Sequence, residues 1–335
     1  MESNSPISPF LRAQYAIQAC NVASDYHPIQ DIARLMPGWR IAWNSGPVTD
    51  PNYSFVAVNA TEDVYILTTR GSVSAGDVFT QWDAFVDWIL EDLNDALVHW
   101  PYASSSPAAC ISAGAYLGFT GMLLARNSLG AGESLHDFLL TNTTGNNKQL
   151  IITGHSLGGN LSNVYASYYL EILKQKNISA SNVSLFTFAA PAAGNSDFAN
   201  DLDRKLVTAW HYQNNNDAVP HFPTVQGLID TGKFYAPDSP NAEVINVDFK
   251  DQHISLQAVF LLLSKIYAKY DYQQPKNNYI TFTADFNPLF VTNTVDSWLL
   301  QVGSQHQLYN YAKELNVVLP PINEIKKPIV TEAFA

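Results

Sequence analysis

Cysteine is nearly absent: Cys20 and Cys110 are the two in 335 residues. Two such distant thiols make no disulfide framework, and neither stands at metal-ligand spacing, so both read as buried free thiols and no metal is expected. Positive charge is scarce too. Lys and Arg number 18 against 30 Asp and Glu, giving a net charge of -12 with no basic cluster, which argues against nucleic acid or an anionic membrane surface as partner. Long hydrophobic runs are missing. The most apolar stretch, Leu256 to Ala268, is broken by Ser264 and Lys265 and falls short of the roughly 20 residues a membrane span requires, so it reads as a packed helix. The opening MESNSPISPFLRAQYAIQ has neither a basic leading segment nor a sustained apolar core. No secretory signal is therefore expected, which leaves the cytoplasm or export by another route.

What is present is apolar and aromatic, 47% and 12% of the chain, enough to bury a sizeable core. Helical spacing from Pro9 to about Ala23 precedes extended runs at Trp39 to Trp43, Tyr53 to Val58 and Val64 to Thr68. Phe79, Trp82, Phe85, Val86, Ile89 and Leu93 recur at three- and four-residue intervals, which predicts one helix from Asp77 to about Leu97. A helix over Ser112 to Ala125 comes next, then a polar linker through Asn147. Further strands are expected at Val183 to Phe188, Leu206 to Tyr212 and Tyr279 to Phe282, with helices to about Lys176, at Ile254 to Tyr270 and after His306. Strands alternating with helices predict an α/β fold, a mostly parallel sheet with helices on both faces. Without repeats or a long linker, residues 1–319 read as a single domain. It has a less regular insertion of about 221–300 and a proline-containing tail at 320–335.

Residues 150–160 read LIITGHSLGGN. An apolar strand runs into Gly154, His155, Ser156, Leu157 and Gly158, and Leu161, Val164, Tyr165, Tyr168 and Tyr169 continue at helical spacing. This is the pattern of a nucleophile elbow, a strained strand-to-helix turn that exposes a serine hydroxyl. A hydroxyl needs a base to remove its proton and an acid to orient the base, and on this architecture both follow the serine in sequence. Asp217 ends the run Trp210 to Asn216 and is followed by Pro220, the strand-then-loop setting that Asp197, Asp203, Asp230 and Asp238 lack. Of the later histidines, His221 is too close in sequence to Asp217. His306 is preferred to His253, since Gly303, Ser304 and Gln305 offer a flexible approach and Tyr309 or Tyr311 could pack over the ring. His155 is expected to point away from the serine. The oxyanion donors expected are the N–H of Leu157 and, after the strand end at Thr69 and Arg70, Ser72 beyond Gly71.

Together these segments resemble the class 3, or fungal-type, triacylglycerol lipases of the α/β-hydrolase superfamily. The likeness rests on Thr69-Arg70-Gly71-Ser72, on Gly154 to Gly159, on Thr187 to Asn195 and on Asn216 to Pro220, and it spans about residues 60 to 310. It implies a triad of Ser156, Asp217 and His306, no cofactor, and hydrolysis of lipid-like acyl esters with transient contact at lipid surfaces. Val78 to Trp88 would then stand where such enzymes carry a lid, although apolar residues at helical spacing also make core. Departures exist: Ala192 replaces the usual arginine after the proline, Tyr116 stands before Gly118-Phe119 where a histidine is customary, and Asp217 and His306 are 89 residues apart, which leaves room for an insertion. An esterase for short soluble esters, or an acyl-binding protein that kept the fold without turnover, are the alternatives.

Overall fold

The computed structural model describes residues 7–50, 52–71, 79–87, 96–144, 148–250 and 252–323. Helix α1 (Pro9–Ala23) starts on a Ser8 cap that accepts from the Leu11 N–H at 3.2 Å, with Pro9 in the first turn where no N–H is required. Half of its buried residues are alanine, Ala13, Ala16, Ala19 and Ala23, so the helix can lie close against the middle of the sheet. Helix α2 (Pro28–Leu35) leads into three antiparallel neighbours, β1 (Trp39–Asn44), β2 (Ser54–Asn59) and β3 (Val64–Thr69). Next come α3 (Trp82–Asp87), a two-stranded pair of β4 (Leu97–His99) and β5 (Cys110–Ser112), α4 (Ala113–Leu124) and α5 (Leu135–Thr143).

Five strands then run parallel: β3, the elbow strand β6 (Gln149–His155), β7 (Val183–Phe188), β8 (Ala209–Asn214) and an edge strand at Tyr279–Phe282. Between them lie α6 (Leu157–Gln175) and α7 (Ser196–Lys205). Side chains alternate as a strand's period of two demands. Tyr65 and Leu67 of β3 and Leu150 and Ile152 of β6 enter the core under α4, α5 and α6, while Val64, Ile66 and Ile151 enter the core with α1, α2 and the C-terminal residues Tyr311, Ala312 and Leu315. Helices thus cover both faces, and the fold class read from the sequence holds.

The register pairs Thr69 with Gly154, His155 with Phe188 and Phe188 with Tyr212, so the parallel strands end along one rim. Beyond that rim the chain makes a third apolar cluster. After β8 come α8 (Val225–Thr231), a hairpin of β9 (Asn246–Phe249) and β10 (Gln252–Ser255), α9 (Leu256–Tyr267), the edge strand β11 (Tyr279–Phe282), α10 (Val295–Gln305) and α11 (Leu308–Glu314). Phe222, Leu228, Phe260, Leu263 and Trp298 from this stretch bury together with Phe79 and Phe85. The segment expected to be irregular therefore folds around aromatic residues spaced too widely for periodicity to reveal.

Other expectations change. Leu97 lies in β4, so no single helix runs to it from Asp77; α3 is the helical part within the described residues. The polar linker contains α5, capped by Ser134, which accepts from the Asp137 N–H at 3.1 Å. Helix α7 precedes β8, which begins at Ala209 rather than Leu206. Both thiols are free and Cys20 is buried, whereas Cys110 is half-exposed in the short edge pair. Gly303, Ser304 and Gln305 are the last turn of α10, a rigid approach to His306. Of the tail, Pro320 to Asn323 run along α1 and α2: Asn21 and Arg34 donate to the Pro320 and Pro321 carbonyls, and the Asn323 N–H donates to buried Asp25 at 2.9 Å.

Candidate active site

Ser156 sits between β6 and α6 at φ 58° and ψ -132°, a conformation that costs a residue with a Cβ of the order of 1–3 kcal/mol and persists only when its surroundings enforce it. The enforcement is local. A Cβ on Gly154 would lie 2.2 Å from the Gly158 carbonyl, and one on Gly158 would lie 2.1 Å from the Thr69 oxygen, so only glycines let strand and helix meet at this angle. Ser156 occupies the N-cap position of α6 yet makes no side-chain cap bond. Its hydroxyl is engaged elsewhere, 2.9 Å from His306 Nε2.

His306 follows the last turn of α10, and its Nδ1 lies 2.8 Å from Asp217 Oδ2. A carboxylate can only accept, so Nδ1 carries the proton, and Nε2 is left as the acceptor for the serine O–H. Asp217 is wholly buried in the turn after β8. Burial of an unpaired carboxylate would be prohibitive, and three donors prevent it: His306, the Val219 N–H on Oδ1 at 2.9 Å, and the Tyr311 hydroxyl on Oδ2 at 2.7 Å. The approach is fixed as well. Asn214, at the end of β8, donates to the backbone and side-chain oxygens of Gln305 at 3.0 and 2.9 Å.

The structure thus brings Ser156, Asp217 and His306 into one hydrogen-bonded chain. His253 is elsewhere, paired with Asp248 across the exposed β9–β10 hairpin at 3.0 Å, and His221 is bonded to Gln213. Leu157 opens α6, where a backbone N–H has no partner within the helix. Ser72 lies outside the described residues. The strand end leading to it is held by Arg70, which donates to the Val48 and Asp50 carbonyls and lies over the Tyr53 ring; burial lowers its pKa to about 10. A Cβ on Gly71 would stand 2.9 Å from the His155 oxygen, so that strand end runs directly beside the elbow.

Three participants were not foreseen in these places. Tyr311 reaches Asp217 instead of covering the imidazole, and Tyr309 is 65% exposed. His155 turns toward the site, with its ring 4.7 Å from that of His306, against the expectation that it pointed away. Phe79 packs at a tilt against the His306 ring, 5.5 Å between centroids, where the absence of a side chain on Gly303 admits it. Within the lid candidate, Phe79 and Phe85 are buried as core; Val78 and Trp88 lie outside the described residues. Helical spacing from Leu308 would have put Tyr311 on an inward face with Ala312 and Leu315.

Burial and the Asp217 charge hold the Tyr311 phenol well above its ordinary pKa, so it stays a donor. Tyr311→Phe should lower kcat on a soluble ester about tenfold, equivalent to about 1.4 kcal/mol, with KM unchanged. It should also lower the unfolding temperature, because the Asn214 N–H, which donates to the same hydroxyl, loses its acceptor. An unchanged kcat would show that the phenol only fills space.

Residues 66–227 match the family model described as Lipase (class 3). The secreted mono- and diacylglycerol lipase LIP4 of Malassezia restricta is 31% identical over 133 residues, 39% of this chain and 41% of that protein. The lipase of Rhizomucor miehei is 29% identical over 108 residues, 32% of this chain and 29% of that protein. The chain therefore spans about two fifths or less of the length of these curated relatives. The crystal structure of M37 lipase superimposes with a TM-score of 0.71 over 92% of each chain at 20% identity, a likeness of fold. Residues 66–227, which carry the elbow and Asp217, are thus similar to the class 3 lipases, and the chain as a whole has the α/β-hydrolase fold.

Proposed function

We propose that this chain is a serine ester hydrolase acting on lipid-like acyl esters, with Ser156 as nucleophile, His306 as general base and acid, and Asp217 as the group that orients the imidazole. The observation that carries this is the unbroken bonding from Ser156 Oγ through His306 to Asp217, at 2.9 and 2.8 Å, on a strained elbow. As Ser156 Oγ attacks the ester carbonyl carbon, its proton passes to His306 Nε2, and the carbonyl electron pair moves onto oxygen. The Leu157 N–H receives that oxyanion at the N-terminus of α6, where the helix dipole also favours negative charge, and the Ser72 N–H is the second donor in this reading. Collapse of the intermediate expels the alcohol, which takes the proton from Nε2. Water, deprotonated by His306 in turn, then releases the acid and restores the serine. The imidazolium that forms between these steps is stabilised by Asp217 and by the negative end of α10.

The lipid assignment draws support from the names of the relatives and from the aromatic cluster of Phe79, Phe85, Phe222 and Trp298 that adjoins His306. Among the described residues no helix is long and apolar enough to cross a membrane, so contact with lipid in this reading is transient. Residues 1–319 act in it as one domain, since His306 and Tyr311 come from beyond the stretch at 221–300. The test is a series of acyl esters from acetyl to palmitoyl, soluble and emulsified, with released acid titrated. Hydrolysis should rise toward the longer, emulsified esters. A preference confined to short soluble esters would make the chain an esterase, and no hydrolysis of any ester would overturn the proposal.

A further inference from the structure

We propose that His155 is a positioning residue for the base: its Nε2–H holds the His306 carbonyl and its ring backs the His306 imidazole, fixing the base in the orientation that spans Ser156 and Asp217. The proposal rests on the reading of His306 as the base.

The His306 carbonyl lies just past the last turn of α10, where helix carbonyls have no partner in the helix. His155 Nε2 is 3.0 Å from it. A carbonyl only accepts, so Nε2 carries the hydrogen and, in the neutral ring, Nδ1 is bare. Loss of solvent around the ring, and then the neighbouring His306, hold His155 well below the ordinary histidine pKa, so it stays neutral while His306 cycles through its charged form. A second positive charge 4.7 Å away would oppose that form; a neutral ring does not.

The connectivity gives the contact its consequence. Ser156 and His155 are adjacent, and they grip the same residue at two points, Ser156 at the imidazole Nε2 and His155 at the main-chain oxygen. Movement of the elbow carries both contacts together, so the separation between nucleophile and base is set by one peptide unit of the sheet. Tyr311 meets the His155 ring edge-on at 5.8 Å, which ties its plane to the residue that also donates to Asp217.

The experiment compares His155→Phe, which keeps a ring without a donor, His155→Leu, which keeps neither, and His155→Gln, whose side-chain amide can donate from near the Nε2 position. Turnover of a soluble ester, fluorophosphonate labelling rate and unfolding temperature are read for each. The Phe and Leu variants should lose about 10- to 100-fold in kcat and in labelling rate, with KM changed little, as for a misplacement of about 1 Å. The Gln variant should recover most of that loss. Equal kcat in all three variants, or a fall confined to unfolding temperature, would overturn the role. A second measurement needs no variant: the nitrogen chemical shifts of His155 in the wild-type chain should report an Nε2–H tautomer, and an Nδ1–H tautomer would also overturn it. Wild-type turnover that disappears in Ser156→Ala, alongside His155 variants as active as wild type, would sink this inference alone.

Discussion

Ser156→Ala is expected to abolish labelling by a fluorophosphonate and to lower kcat on a soluble ester by about 10⁶-fold, the scale on which serine triads lose activity when the nucleophile is removed. The variant should fold normally. The serine hydroxyl caps no backbone N–H, and alanine enters the same positive-φ turn at a similar conformational cost, so little stability is at stake. Residual rate above water, about 10³-fold, should survive, because the Leu157 N–H and the binding surface remain. Substrate KM should change little, since the hydroxyl acts chiefly in the transition state. Labelling that persists in this variant would place the reactive group elsewhere and remove the basis of the proposed mechanism.

His306→Ala and His253→Ala form the second comparison, and they should part by several orders of magnitude. Without the imidazole the serine proton has no acceptor, so kcat should again fall about 10⁶-fold and labelling should become very slow. Asp217 would retain Tyr311 and the Val219 N–H but lose its third donor while fully buried, so a lower unfolding temperature should accompany the lost activity. His253 is paired with an exposed aspartate on a surface hairpin, and its removal should leave kcat within about twofold of wild type and unfolding nearly unchanged. Loss of turnover in His253→Ala, with His306→Ala active, would reverse the assignment of the base.

The elbow was legible because its physics is local: an apolar strand, glycines flanking a serine and a helical stripe lie within some twenty residues of sequence. The strands were legible for the same reason, through runs such as Val64 to Thr68 and Val183 to Phe188. What periodicity could not supply was partnership across the chain. Nothing near Tyr311 announces that its hydroxyl serves a carboxylate 94 residues earlier, and nothing in Gly154-His155-Ser156 tells which way the histidine turns. Short helices such as α2 and α5 were lost among turn-forming residues. Gly303 looked like a source of freedom, yet it is a helical position kept small by Phe79. In that case a residue's tolerance for many conformations was mistaken for its use of them.

The clasp between the two ends of the described chain bears on how activity would fail. The hydroxyl is rooted in a strand at the heart of the sheet, whereas the imidazole arrives at the joint between α10 and α11, and α11 in turn rests on α1. The side chain of Gln14 reaches the Leu315 carbonyl, and residues 320–323 are sewn to α1 and α2. Fraying at either terminus would loosen the support beneath the base long before the strands part. Such openings cost less than global unfolding. Heat or dilute denaturant would then silence the proposed hydrolysis while the sheet is still intact, and cooling would revive it.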